Sequence, residues 1–179
     1  MAQMLDLGAE GLVLPQVRTK KEADKIIRST KYSPWGKRGV SISEVVTRYR
    51  GYGQAAYTQW ANEENMNILQ IESEEGLENA EEIISTKGVD AIMIGPADLS
   101  QDMGIPGQLS HPRIEEAYRS VIQICNKYGV APGIHLANMD LVKKWIKEGM
   151  RFVTYGYDSK FFKDGSTQAL NELKSLDMS

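Results

Sequence analysis

QIESEEGLENAEEIISTKGVDAIMIGPADLSQDMG, residues 70–104, is the stretch that decides how this chain folds. It reads as strand, turn, helix, tight turn, strand and polar loop. An acidic residue stands just past each apolar run: Glu72 after Asn67–Ile71, and Asp98 after Ala91–Gly95. If the two strands are parallel neighbours, both carboxylates leave the same edge of the sheet a few ångströms apart. Two consecutive βα units would then offer a divalent cation two oxygen ligands.

Outward from this stretch, one phrase recurs: a helix end, a glycine, a few mostly apolar residues, then a strand. It occurs around Gly8, Gly88, Gly129 and Gly149. A glycine there supplies the left-handed cap that stops the helix and turns the chain into the sheet. The strand candidates are 11–16, 67–71, 91–95, 130–136 and 152–157. They are short and mostly apolar, as expected of parallel strands covered on both faces. Between them lie helical stripes: Leu77, Ala80, Ile83 and Ile84; Ile114, Tyr118, Val121 and Cys125; Leu141, Val142, Trp145 and Ile146. Ser110 before Pro112 and Asn138 before the third stripe read as helix caps. Cys125 and Trp145 fall on these stripes and read as packing. The pattern is a repeated α/β layout.

The 179 residues are 41% hydrophobic with a net charge of −3, which suits one domain with its own core. No run approaches the ~18 apolar residues of a membrane span. The N-terminus lacks the basic-then-apolar pattern of a secretion signal. A single cysteine excludes an internal disulfide framework and a cysteine-rich zinc site, and fits a reducing cytoplasm. Slight acidity without a long basic run argues against nucleic acid as a partner. The expected setting is cytoplasmic, with no membrane.

The interval from Val17 to Met66 differs in kind. Lys20–Thr30 reads as an amphipathic helix, followed by the turn-rich, basic KYSPWGKRGV (31–40) and a polar, aromatic segment from Arg48 to Trp60. An excursion of this length after a strand is expected to be an active-site loop. Five βα units do not close an eight-stranded barrel, which needs about 250 residues. The fold is therefore either an open five-stranded sheet or the later part of a barrel.

With these residues in view, the chain resembles the HpcH/HpaI aldolase family, metal-dependent pyruvate aldolases acting on 4-hydroxy-2-oxo acids. The resemblance covers essentially the whole sequence. It is carried by LDLGAEGLVLPQV (5–17), KYSPWGKRGV (31–40), LQIES (69–73), GVDAIMIGPADLSQDMG (88–104) and APGIHLAN (131–138). The pairing of Gln70-Ile71-Glu72 with Gly95-Pro96-Ala97-Asp98-Leu99-Ser100 is its most specific part. The resemblance implies a (β/α)8 TIM barrel, of which residues 1–179 are a single domain holding about the last five βα units. It implies a homo-oligomer, usually a hexamer built from dimers, in which residues 160–176 form a C-terminal helix exchanged between subunits. It implies Glu72 and Asp98 as metal ligands, for Mg2+ or Mn2+ first and Co2+ next. Gln70, on the same side of its strand as Glu72, would reach pyruvate or its metal-bound water. The amides of Ala97 and Asp98 would hold the pyruvate carboxylate, and Asp6 would reach an active site across the dimer interface.

The implied reaction is reversible cleavage of a 4-hydroxy-2-oxo acid, such as 4-hydroxy-2-oxoheptanedioate or a 2-dehydro-3-deoxy sugar acid, into pyruvate and an aldehyde. A divalent ion acting as Lewis acid would stabilise the pyruvate enolate. No lysine stands at a strand end, as a Schiff-base mechanism would require. The sequence also departs from the family pattern. A histidine in an Asp-x-Glu-His context after the second strand and an arginine at the end of the third have no counterpart here. On that ground the chain is expected to hold the metal half of the site without the proton-handling half. His111, beside a proline, reads as a surface residue. His135 ends a strand where relatives carry an aliphatic side chain, and is expected to line the aldehyde pocket. Two other readings stay open: a citrate lyase β-like lyase acting on a CoA ester, and a non-catalytic barrel fragment that associates with a complete subunit.

Overall fold

The computed structural model describes residues 1–42, 46, 47 and 49–176. Arg48, the first residue of the polar, aromatic segment, lies outside them. Five strands form one sheet: β1 (Gly11–Leu14), β2 (Met66–Ile71), β3 (Ala91–Ile94), β4 (Ala131–Leu136) and β5 (Phe152–Tyr155). The helices are α1 (Ala2–Asp6), α2 (Lys20–Thr30), α3 (Gln54–Glu64), α4 (Glu74–Glu78), α5 (Ala80–Ile84), α6 (Pro96–Asp102), α7 (Pro112–Tyr128), α8 (Met139–Lys147) and α9 (Asp158–Ser175).

All neighbouring strands are parallel and stand in sequence order, β1 to β5. A doubly wound sheet reverses its order at a switch point. This one does not, so it is an open, partial barrel. Alternation of side chains along each strand then assigns two faces. One face carries Leu14, Leu69, Ile71, Ile92, Ile94, Ile134 and Leu136, buried in a single cluster with Ile27, Ile83, Tyr118, Val121, Cys125 and Trp145 from the helices. The other carries Ile68, Ala91 and Met93, packed with Ala131 and Phe152. This smaller cluster lines the inside of the curved sheet.

Local chemistry sets the ends of the elements. Thr19 and Glu22 form a reciprocal capping box at the start of α2. Asn138 caps α8 by accepting from the amides of Asp140 and Leu141. The α7 cap is His111 and not Ser110: its Nδ1 accepts from the Arg113 amide at 3.2 Å. Pro112 at the first helical position makes the residue just before it the cap. Gly129 ends α7 in the left-handed conformation, with φ of 70°.

The excursion between β1 and β2 does not lie where its length suggested. Its first residues stay at the C-terminal edge, where the Arg18 carbonyl accepts from Asn79, and helix α2 then carries the chain back to the N-terminal edge. From Lys31 onward it is anchored at that edge. Lys31 Nζ donates to the carbonyls of Asn62 and Asn65 at 2.7 and 2.6 Å, at the end of α3. Arg38 pairs with Asp6 ahead of β1, and Lys87, ahead of β3, lies over the Trp35 ring. This segment braces the floor of the sheet, opposite the strand ends that carry Glu72.

Candidate active site

The C-terminal ends of β2 and β3 bring Gln70 and Glu72 into contact beside Gly95, with Ala97 and Asp98 following on the same edge of the sheet. On β2, Ile68, Gln70 and Glu72 alternate onto the inner face. Glu72 is 4% exposed, an unusual position for a carboxylate. Both of its oxygens are held. Oε1 accepts from the backbone amide of Gln16 at 2.9 Å, and Oε2 from the Gln70 side-chain amide at 2.5 Å. Neither donor is charged, and Glu72 makes no ion pair among the described residues. A buried anion held only by neutral dipoles remains uncompensated, which is the electrostatic setting a cation completes.

Space at this carboxylate comes from Gly95. The register Ile71↔Ile94 sets Gly95 opposite Glu72, and the Gly95 amide donates to the Ile71 carbonyl at 3.1 Å. A Cβ on Gly95 would lie 2.4 Å from Glu72 Oε2 and 2.7 Å from Gln70 Nε2. Glycine is required there because the two side chains fill the volume that a methyl group would take.

Gly95 is also the N-cap of α6, with Pro96 at its first position and Asp98 in its first turn. Asp98 is exposed and leaves the same edge as Glu72. The amides of Ala97 and Asp98, in that first turn, have no acceptor within the helix. The neighbouring rim is tied down from outside. Asp102 accepts from the Glu74 amide at 2.8 Å, and Glu74 pairs with Arg113 at 2.6 Å.

Continuing the registers outward puts His135 beside Gly95 and Thr154 beside His135 on the same level of the inner face. His135 Nδ1 lies 2.8 Å from Thr154 Oγ1. Glu72 and His135 are therefore separated by one strand, about 10 Å between backbones at ordinary strand spacing, and the strand between them carries no side chain at that level.

Asp6 stands apart. It follows α1 to the N-terminal edge, where its Oδ1 meets Arg38 Nη2 at 2.6 Å, with the Arg38 guanidinium buried and 4.6 Å from the Tyr32 ring centroid. Within one chain it does not join Glu72. Cys125 lies on the helix-facing side, where burial raises its thiol to about 12, so it stays protonated and inert. Sequence reasoning missed Gln16, whose role depends on backbone geometry, and it quoted Gly95 without seeing the space that this residue creates.

The donors present suit a hard divalent ion: carboxylates at Glu72 and Asp98 and an amide at Gln70. Among the described residues no three His, Cys, Asp or Glu side chains gather as a ligand set.

Comparison with known proteins places this geometry. The family described as HpcH/HpaI aldolase/citrate lyase matches residues 1–164. A 4-hydroxy-2-oxo-heptane-1,7-dioate aldolase of Klebsiella pneumoniae subsp. pneumoniae is 39% identical over 164 residues, 92% of this chain and 62% of the relative. The protein of the same name from Shigella flexneri is 40% identical over 157 residues, 88% of this chain and 58% of the relative. The chain therefore spans about three fifths of the length of these relatives. Among solved structures, the HpcH/HpaI aldolase from Desulfitobacterium hafniense DCB-2 superposes with a TM-score of 0.92 at 30% identity, covering 99% of this chain and 68% of that one.

Proposed function

The chain belongs to the HpcH/HpaI aldolase/citrate lyase family, and from that premise we propose that it forms the metal- and pyruvate-binding part of a class II aldolase. The reaction is the reversible cleavage of a 4-hydroxy-2-oxo acid to pyruvate and an aldehyde. The observation that carries this reading is Glu72: a buried carboxylate, held on both oxygens by neutral donors and packed against Gly95.

Glu72 and Asp98 hold a divalent ion, Mg2+ or Mn2+ before Co2+. When bound, that ion supplies Lewis-acid polarisation to the keto oxygen of a 2-oxo acid. The residues of the chain do the rest. The amides of Ala97 and Asp98 receive the substrate carboxylate. Gln70 fixes the second oxygen of Glu72 and presents its amide at the same mouth. His135, aligned by Thr154, borders the acceptor side and bears on the choice of aldehyde. Transfer of the 4-hydroxyl proton falls to groups on the part of the relatives' length that this chain does not span. Asp6, fixed by Arg38 on the opposite edge, takes part toward a second copy in a homo-oligomer.

Pyruvate release from 4-hydroxy-2-oxoheptanedioate, with Mg2+ or Mn2+ and with EDTA, tests the reading. The assay is run on the 179-residue chain alone and mixed with a fragment carrying the preceding strands of a relative. Turnover should require the metal and be abolished by Glu72→Ala and by Asp98→Ala. Retention of activity in either variant refutes the site. His135→Leu should change the ranking of aldehyde acceptors while leaving pyruvate release measurable. An unchanged ranking removes His135 from the pocket.

A further inference from the structure

Strand β1 ends in an irregularity that points at Glu72. Its pairing with β2 runs from Gly11↔Met66 to Leu14↔Leu69. Continued regularly, it would set Gln16 opposite Ile71 and give the Gln16 amide to the Gln70 carbonyl. Instead the Val17 amide takes that carbonyl at 3.1 Å, and the Gln16 amide turns to Glu72 Oε1 at 2.9 Å. The ladder has slipped by one residue, as in a bulge.

The slip goes with a turn of the backbone at Gln16, which adopts φ of 60°, in the left-handed region that a glutamine rarely enters. Its side chain is held by Arg18, whose Nη2 donates to Gln16 Oε1 at 2.9 Å. Strain of this kind persists where surrounding contacts over-determine it, and it gathers at functional sites.

We propose that the Pro15–Gln16 bulge is a positioning device, which withdraws one amide from the sheet and uses it to hold Glu72 in its ligating orientation. Gln16 is a positioning residue and touches neither metal nor substrate. With the Gln70 amide on the other oxygen, it fixes the carboxylate plane, so the ion meets a prepared ligand. The proposal rests on the reading of Glu72 as a metal ligand. It also couples the metal to β1, the edge strand farthest from β5, through a single hydrogen bond.

The test is Mn2+ uptake by the full chain, with free Mn2+ read by electron paramagnetic resonance. Deleting Gln16 lets Val17 follow Pro15 in the regular ladder and leaves Glu72 without its backbone donor. Mn2+ affinity should then fall about 10- to 100-fold, the usual cost of losing an outer support of a metal ligand, with the far-ultraviolet circular dichroism unchanged. The conservative Gln16→Gly keeps the amide and accepts the left-handed backbone, so it should bind within about threefold of the parent. A deletion variant with parental affinity, or a Gln16→Gly variant as weak as the deletion, overturns the proposal. If the deletion fails to fold, the amide proton of Gln16 in the 15N-labelled parent decides. It should lie downfield and move upfield in Glu72→Gln, and an unmoved resonance is the contrary result. A parent chain that takes up no Mn2+ overturns the metal reading of Glu72 and this proposal with it. Uptake abolished by Glu72→Ala but untouched by the Gln16 deletion overturns the proposal alone.

Discussion

At the scale of single residues, the site depends on one missing side chain. Gly95 leaves room for the Glu72 carboxylate and the Gln70 amide, and neither can retreat without losing its partner. Gly95→Ala is therefore expected to push Glu72 out of its orientation and to weaken Mn2+ binding by at least about tenfold, read by the same titration. Unchanged binding would mean that the carboxylate moves freely at this point. Glu72 and Asp98 were legible in the sequence because each terminates an apolar run, and the period of a strand converts that position into a sheet edge. Gln16 was not. A glutamine gives no sign that its backbone will turn left-handed, because the partners that accompany the turn, the Gln70 carbonyl and the Glu72 carboxylate, lie on another strand. Ser110 was misjudged as the cap of α7 for a related reason: the His111 imidazole accepts that hydrogen bond, a task usually given to Ser, Thr, Asp or Asn.

At the scale of elements, side chains tie α7 to α8 behind the sheet. Tyr118 and Trp145, both fully buried, meet edge to face at 4.7 Å. Above them Glu115 accepts from Lys144 and Arg119, and Arg119 reaches on to Glu148 at 2.8 Å. The hydrogen bond from Lys144 holds the Glu115 carboxyl below its ordinary value of 4.5, more strongly than its partial burial raises it, with Arg119 assisting. Because the folded value lies below the unfolded one, the stability it contributes is fully present above about pH 4.5 and is lost as pH falls through the lowered value. Glu115→Gln should cost about 0.5–1 kcal/mol at pH 7, as expected of a mostly surface network. The difference from the parent should shrink as pH falls below 4.5, followed by urea unfolding across that range. The position of the β1–β2 excursion illustrates what element-level reading leaves out. Its length was legible, but only the direction of α2 decides which edge it occupies.

At the scale of the whole molecule, two surfaces call for partners. Strands β1 and β5 each have a neighbour on one side only in the sheet, and Val13 on β1 is 44% exposed. Helix α9 buries none of its residues, and Phe162, Leu170, Leu173 and Leu176 are exposed along it. Eighteen helical residues with this pattern are expected to dock on another copy, in keeping with the proposal that this helix is exchanged between subunits. Removing residues 158–179 should lower the assembly size measured by light scattering during gel filtration; an unchanged mass would assign α9 no part in assembly. The repeated α/β layout was legible because glycine-capped αβ turns recur along the chain, and the barrel came from the family resemblance. The number of strands followed from counting them.

The strict sequence order of the sheet has a consequence for synthesis. Every strand pairs with the strand made just before it, so no long-range partner has to be awaited. The most distant pairing, between β1 and β2, is complete once Ile71 has left the ribosome, and β3 adds after one short helical connection. Both acidic residues, together with the Gln16 amide and Gly95, therefore exist in a nascent chain before α7 is made. The proposed metal site is thereby an early assembly product, able to stabilise by ligand linkage the half-grown sheet on which the later strands are laid.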